Sequence, residues 1–320
     1  MHKGRNTSLD LFRCVCMFLV VLYHSYQHSA YWHASRIYDI VFYYLLFWHV
    51  DGFLSLSGRF GIKFSLGKFW RLYSVIVFYS VLSIAIGRYC LGVEVPFRVT
   101  GGWYGNTYLC LMLVVPLLNE GINGLVAKGS RFAWCAWLGF AVVMFVNWMS
   151  GNSYVSLVAY DIGPFSLVQM VFVYFTVRLV RLTDVAKMIR WPYLVLVMVF
   201  YCCVAVVLPS RTNYIAPHTI AMAVAMLTLF EKYVKAPKWL GHVAVWAAPS
   251  MFGVYLLHEI TCFGKSFHRV PIEWMTHYGC PPAIAIVFGA IACFLACIIL
   301  DWLRRGIVGV IVKLSRRIIQ

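Results

Sequence analysis

Negative charge is scarce in this sequence. Its 320 residues include 11 Asp and Glu against 27 Lys and Arg, and charged residues make up only 12% of the chain. Globular domains carry about a quarter. With 62% of residues hydrophobic, no water-soluble fold could hide the apolar surface. Zinc-like and redox cysteine spacings are also missing. Eleven cysteines are present, but most, such as Cys14, Cys16, Cys202, Cys203 and Cys293, sit inside apolar runs, where they read as small hydrophobes rather than a disulfide framework. No metal-ligand set is expected. Internal repeats, low-complexity tracts, flexible linkers and polar stretches long enough for a second core are lacking, so residues 1–320 read as one domain.

What is present is a succession of apolar runs. A bilayer core of roughly 30 Å needs about 20 mostly apolar residues in a helix, because backbone polar groups in lipid must be satisfied internally. That ruler places ten spans near 9–27, 38–58, 70–92, 104–120, 131–149, 164–182, 191–209, 213–230, 245–264 and 281–303. The fold class is therefore all-α, a polytopic integral membrane protein. The first segment has the basic start of a signal peptide, but Asp10 and Arg13 interrupt its apolar run and no convincing cleavage site follows, so it reads as a retained helix. Alternating loops divide the cations unevenly. Twenty-one, including Lys3, Arg5, Lys128, Lys187, Lys235, Lys313, Arg316 and Arg317, fall on one side, and six (Arg36, Arg88, Arg98, Arg211, Lys265 and Arg269) on the other. The positive-inside rule then puts both termini in the cytoplasm. The net charge of +16 is met by this topology and by anionic lipid headgroups, without a nucleic-acid partner.

Ionisable groups inside a span are costly, and each marks a candidate for function or for a buried pair. The first span offers the sharpest set. Between Arg13 and His24 lie ten residues, a step that turns a helix about 1100° and advances it about 16 Å, so both side chains share one face. Asp10 is three residues before Arg13, within reach of an intrahelical pair. Thr7 with Asp10 also matches a capping box, so Asp10 serves as a cap, as part of the site, or as both. Arg13 reads equally as a surface anchor and as a ligand contact. Further intramembrane candidates are His49 and Asp51 in the second span, His218 in the eighth, and His258 with Glu259 in the ninth.

An arginine, ten residues and a histidine in the first span resemble the signature of the membrane-bound acyltransferase family 3, with Asp10 at the expected acidic position. Leu56, Ser57 and Gly58 before the basic run Lys68 to Tyr73 are similar to a second family stretch, and Ser250 followed by Tyr255, Leu256, Leu257 and His258 to a third. The stretch from Trp103 to Leu109 is loosely similar to the family's aromatic start of a middle span. The resemblance runs from residue 5 to about 258. Two positions depart from it: Arg59 stands where an aromatic or aliphatic residue is usual, and Ser74 where proline is common.

The resemblance implies an acyl donor of the acyl-coenzyme A type, usually acetyl-CoA, entering from the cytoplasm. It also implies an acceptor hydroxyl on a carbohydrate or glycolipid, and a home in the bacterial cytoplasmic (inner) membrane. On it, Arg13, Arg59, Lys63, Lys68 and Arg71 would meet the donor's phosphates, for which the arginine fork is suited, although a positive-inside loop explains the same cluster. His24 would act as base toward the acceptor or as a covalent acyl relay, with Arg13 and Asp10 beside it. His258, Glu259, His49 and Asp51 would orient it or line the acceptor path. Two other classes fit the apolar pattern: a transporter or flippase of a polar or anionic substrate, and a catalytically silent sensor or scaffold. Transporters commonly show similar halves and broken midplane helices, and neither feature is visible in the sequence.

Overall fold

The computed structural model describes residues 6–96, 99–149 and 166–319, with the side chains of 311–319 excepted. Lys3, Arg5 and Arg98, the first two residues of the span expected at 164–182, and the side chains of Lys313, Arg316 and Arg317 lie outside what it describes. The described residues are helical throughout, without strands. The helices are α1 (Thr7–Gln27), α2 (Arg36–Phe42), α3 (Trp48–Phe60), α4 (Leu66–Cys90), α5 (Gly102–Ala127), α6 (Ser130–Met149), α7 (Leu167–Leu182), α8 (Val185–Met188), α9 (Trp191–Val207), α10 (Pro217–Lys232), α11 (Lys238–Ala247), α12 (Met251–Tyr255), α13 (Gly264–His277) and α14 (Pro282–Ile319).

Among the described residues, seven helical segments are long and apolar enough to cross a bilayer: Thr7–Gln27, Arg36–Phe60, Leu66–Cys90, Gly102–Ala127, Ser130–Met149, Lys238–Ile260 and Pro282–Val310. The other three expected spans fall on α7, α9 and α10, helices of 16, 17 and 16 residues. At 1.5 Å per residue these reach about 24–26 Å, short of a full bilayer core. Among the described residues the structure thus holds seven segments of full spanning length, as a multi-pass membrane protein would.

The first helix is started by Asn6, whose side-chain oxygen accepts from the backbone N–H groups of Ser8 and Leu9 at 3.0 and 3.3 Å. This corrects the expected Thr7–Asp10 capping box: Asn6, one residue earlier, already satisfies the orphan donors. Asp10 instead pairs with Arg13 at 3.4 Å, as the spacing predicted. From its central place α1 packs against α3, α10, α11, α12 and α14, whereas α6 faces outward along most of its length.

Contacts gather the helix ends into two sets. At one end Ser8 Oγ donates to the Val234 carbonyl, Lys232 Nζ donates to the carbonyls of Ala186, Lys187 and Ile189, and Arg59 on α3 pairs with Glu231 on α10. At the other, Arg211 donates to the Met149 carbonyl and Trp148 to that of Arg211. Helix α3 runs past Ser57 and Gly58 to end at Gly61, which takes a left-handed φ of 70°. Gly58 is the crossing point with α7, where a β-carbon would come 2.8 Å from Val177 and 3.0 Å from the Tyr174 carbonyl. Arg59, the departure from the family pattern, is accommodated by its partner Glu231.

Helix α13 lies between the last two spans and was not expected. It buries Gly264, His268 and Ile272, one position per turn, against α14. Lys265, Arg269 and Glu273 break up its apolar residues, so no apolar run announces it. Its first residue must be glycine-sized, because a β-carbon at Gly264 would sit 2.5 Å from the His258 carbonyl oxygen.

Candidate active site

A cavity of about 420 Å³ is bounded by α1, α3, α4, α5 and the turn before α12. Arg13, Lys63 and Lys68 line it, so three of the five cations expected to meet a donor are brought together. Lys68 Nζ donates to the Lys63 carbonyl at 3.2 Å, and Tyr108 and Ser57 share a 3.0 Å hydroxyl hydrogen bond in the wall. The other two cations are elsewhere. Arg59 is held by Glu231, its Nε 2.7 Å from Oε2, and the exposed Arg71 lies off the cavity. The cluster therefore separates into a cavity-lining trio, a structural ion pair and a surface cation.

A second cavity, of about 30 Å³, is lined by His24, His49, Trp103, Tyr104, Tyr214 and Tyr255 among others. Phe53 and Tyr104 line both spaces and form the wall between them. Tyr104 is 5% exposed, and its hydroxyl is buried with no hydrogen-bond partner among the described residues. A phenol hydroxyl buried unpaired costs of order 1–3 kcal/mol, a cost relieved when a bound group accepts its proton.

His24 stands on α1 with its Nδ1 2.9 Å from Nε2 of His258. The bond joins residues 234 apart in sequence. Its proton is fixed from the far side: His258 Nδ1 lies 2.6 Å from the Val254 carbonyl, which can only accept, so the His258 proton is on Nδ1. In a neutral ring His258 Nε2 is then an acceptor, and His24 Nδ1 must donate to it. The lone pair of His24 is thereby held on Nε2.

His258 owes its aim to a π-helical turn, Leu256–Ile260, that follows α12. Such turns insert a residue into the helical ladder and recur at functional sites. The turn closes where Thr261 Oγ1 donates to the Leu257 carbonyl at 2.6 Å. It also brings Glu259 Oε2 to 3.5 Å from His24 Nδ1 and 3.6 Å from Nε2 of His28, which caps the end of α1.

His268 of α13 completes a cluster of four imidazoles, with its ring centroid 5.5 Å from that of His258 and 5.4 Å from that of His28. Its Nδ1 is 2.7 Å from Ser25 Oγ, and its Nε2 faces Cys293 Sγ at 3.8 Å. Burial, with His258 and His28 adding to it, pushes the His268 imidazole down to about 2, so it stays neutral. His268 braces the cluster and carries no charge into it.

His49 hydrogen-bonds through Nδ1 to the Leu46 carbonyl, so in the neutral ring its Nε2 is an acceptor on the small cavity shared with His24. Asp51 lines neither cavity; fully buried, it accepts from Gln169 and ties α3 to α7. His218 is turned to Thr212, 3.2 Å away. Thus His24, His258, Glu259 and His49 assemble, while Asp51 and His218 serve helix packing. Three residues of the cluster and its walls were missed in the sequence. His28 carried a signal, lying four residues after His24 on the same helical face. Tyr104 lay within the aromatic stretch already noted, and His268 had no signal beyond being a histidine.

Candidate membrane-spanning helices thus surround a cation-lined cavity and a buried, hydrogen-bonded imidazole, the arrangement of a multi-pass membrane protein. A family model described as "Acyltransferase domain" (acyltransferase family 3) matches residues 6–302, nearly the whole chain, and the chain belongs to that family of acyltransferases. Comparison with curated proteins gave no match. Comparison with solved structures gave none either.

Proposed function

We propose that the protein is an O-acyltransferase of a bacterial inner membrane, with both termini cytoplasmic and the three short helices also crossing as spans. It moves an acetyl group from cytoplasmic acetyl-CoA to a hydroxyl of a cell-surface glycan or glycolipid. The observation that carries this reading is the His24–His258 hydrogen bond, which holds a lone pair on His24 Nε2 beside a small cavity that shares Phe53 and Tyr104 with the cation-lined one. Family membership supplies the reaction class.

In this reading Arg13, Lys63 and Lys68 hold the phosphates of coenzyme A, and the pantetheine arm extends along α1 toward His24, about 16 Å further on. Arginine grips phosphate through two parallel N–H groups, and lysine adds point charge. The acceptor hydroxyl gives its proton to His24 Nε2 as its oxygen bonds to the thioester carbonyl carbon. Negative charge then gathers on the carbonyl oxygen. The unpartnered Tyr104 hydroxyl donates to that oxygen, the kind of prepositioned donor that stabilises a transition state. Collapse breaks the carbon–sulfur bond, and the thiolate leaves with the proton returned from His24. His258 keeps the tautomer throughout, and Glu259 steadies the imidazolium while it exists. His49 offers Nε2 as an acceptor to a second hydroxyl of the acceptor.

The test is incubation of the purified protein with labelled acetyl-CoA and surface glycan or glycolipid. Transfer of label with release of coenzyme A is expected. Movement of intact substrate across vesicles without cleavage of the thioester would overturn the reading in favour of transport.

A further inference from the structure

Nothing in the base mechanism uses His28, and nothing in it explains two buried atoms without hydrogen-bond partners, His28 Nε2 and Glu259 Oε2. These atoms face each other at 3.6 Å, beyond hydrogen-bond length. Beside them, His24 Nδ1, His258 Nε2 and the Glu259 carboxylate lie within 4.8 Å of one another. The individual separations are 2.9 Å between His24 and His258 and 3.5 Å between His24 and Glu259. A tetrahedral ion with bonds of about 2.0–2.1 Å separates its ligand atoms by about 3.3 Å. The cluster has that spacing.

We infer that His24, His258 and Glu259 form a binding site for a divalent transition-metal ion of the zinc class, with His28 as the outer partner of the Glu259 carboxylate. Two imidazole nitrogens and one carboxylate make up a borderline-soft set that suits zinc, with its fourth position open, better than magnesium or calcium. His24 and His28 stand one helical turn apart, and His258 and Glu259 are adjacent in the π-helical turn. Two rigid elements thus fix the three donors and their outer partner. The bond from His258 Nδ1 to the Val254 carbonyl is the outer contact that orients a metal-bound imidazole and keeps its Nε2 unprotonated. Glu259 is about one-third exposed, which leaves a route for an ion from outside the bundle.

The site has a consequence that rests on the proposed function. A metal on His24 Nδ1 displaces the Nδ1 proton, and the neutral ring then carries its proton on Nε2. An imidazole in that state cannot accept the acceptor hydroxyl's proton. Metal occupancy and transfer therefore exclude each other, and zinc is a reversible inhibitor that acts by switching the tautomer.

The experiment uses the full-length protein in detergent or nanodiscs. Zinc binding is measured by calorimetry and by metal content after desalting, and cobalt(II) is added separately for its visible ligand-field bands. One ion per chain and tetrahedral cobalt bands are expected, with affinity more than about tenfold weaker in His28→Ala and in Glu259→Gln. With chelator present, His28→Ala should transfer acetyl groups at the wild-type rate; with zinc, it should resist inhibition that stops the wild type. If His28→Ala fails to accumulate, His28→Gln replaces it. No saturable binding, or equal affinity in wild type and both variants, would overturn the site. Transfer stimulated by zinc would overturn the tautomer switch. Binding is read without any acyl transfer, so a chain that binds zinc but transfers nothing would refute the proposed function and leave the site standing.

Discussion

The two ends of α1 solve opposite problems with the same helix. At the Arg13 end a cavity of about 420 Å³ carries three cations on its wall, and the Arg13 side chain is 30% exposed. At the His24 end the adjoining space is only about 30 Å³, and four imidazoles pack together, two of them beside the Glu259 carboxylate. Cations that are to hold phosphate gain from staying hydrated until the ligand arrives, since burying an unpaired charge is costly. A base gains from the reverse. With water excluded, its hydrogen bonds fix one tautomer and orient one lone pair. On the proposed function, the difference suits the open end to binding and the closed one to chemistry.

The closed end should be the more sensitive. His258→Ala removes the acceptor that orders the His24 proton, and transfer should fall by about 10²–10³-fold with donor affinity unchanged. His258→Gln, whose amide oxygen can accept from His24 Nδ1, should recover part of that loss. Equal activity in wild type and His258→Ala, read as label moved to glycan, would show that the His24 tautomer does not matter.

At the open end, Arg13→Ala should weaken binding of acetyl-CoA by about 10- to 100-fold, the value of a charge-assisted hydrogen bond. Arg13→Lys should restore it only in part, because the planar fork is lost. Calorimetry on nanodiscs checks both, and unchanged affinity would reduce Arg13 to a surface anchor.

Tyr104 stands between the two regions and sharpens their boundary. Tyr104→Phe keeps the ring and deletes the hydroxyl, so the maximal rate should drop about tenfold while donor affinity holds. A fall in affinity with an unchanged rate would move Tyr104 to the binding side. Smallest in its effect on function is Arg59→Ala. It should leave donor affinity as it was and lower thermal stability, because Glu231 loses its partner.

Much of the open end could be read from sequence and much of the closed end could not. A helix repeats its faces every few residues, so the step from Arg13 to His24 and the pairing of Asp10 with Arg13 follow from spacing alone. The cations of the first loop were visible as a run, but their division was not. Arg59 turns to Glu231, 172 residues away, a contact set by how α3 and α10 cross. The His24–His258 bond depends likewise on two distant elements and on a π-helical turn, an irregularity that periodicity does not signal. Helix α13 escaped because its buried stripe of Gly264, His268 and Ile272 is narrow and charged residues interrupt the helix throughout. The three short helices show the opposite limit: apolar runs placed them correctly, yet hydropathy alone did not reveal that they stop at 16 or 17 residues.

The division of labour along α1 is tested most directly by one variant measured twice. In His24→Ala, the affinity for acetyl-CoA and the rate of acetyl transfer to glycan are determined on the same nanodisc preparation. Wild-type donor affinity with transfer reduced by at least about 100-fold is the predicted result. Near wild-type transfer would show that His24 is not the base, and loss of donor binding along with transfer would show that the two ends of the helix are not separate sites.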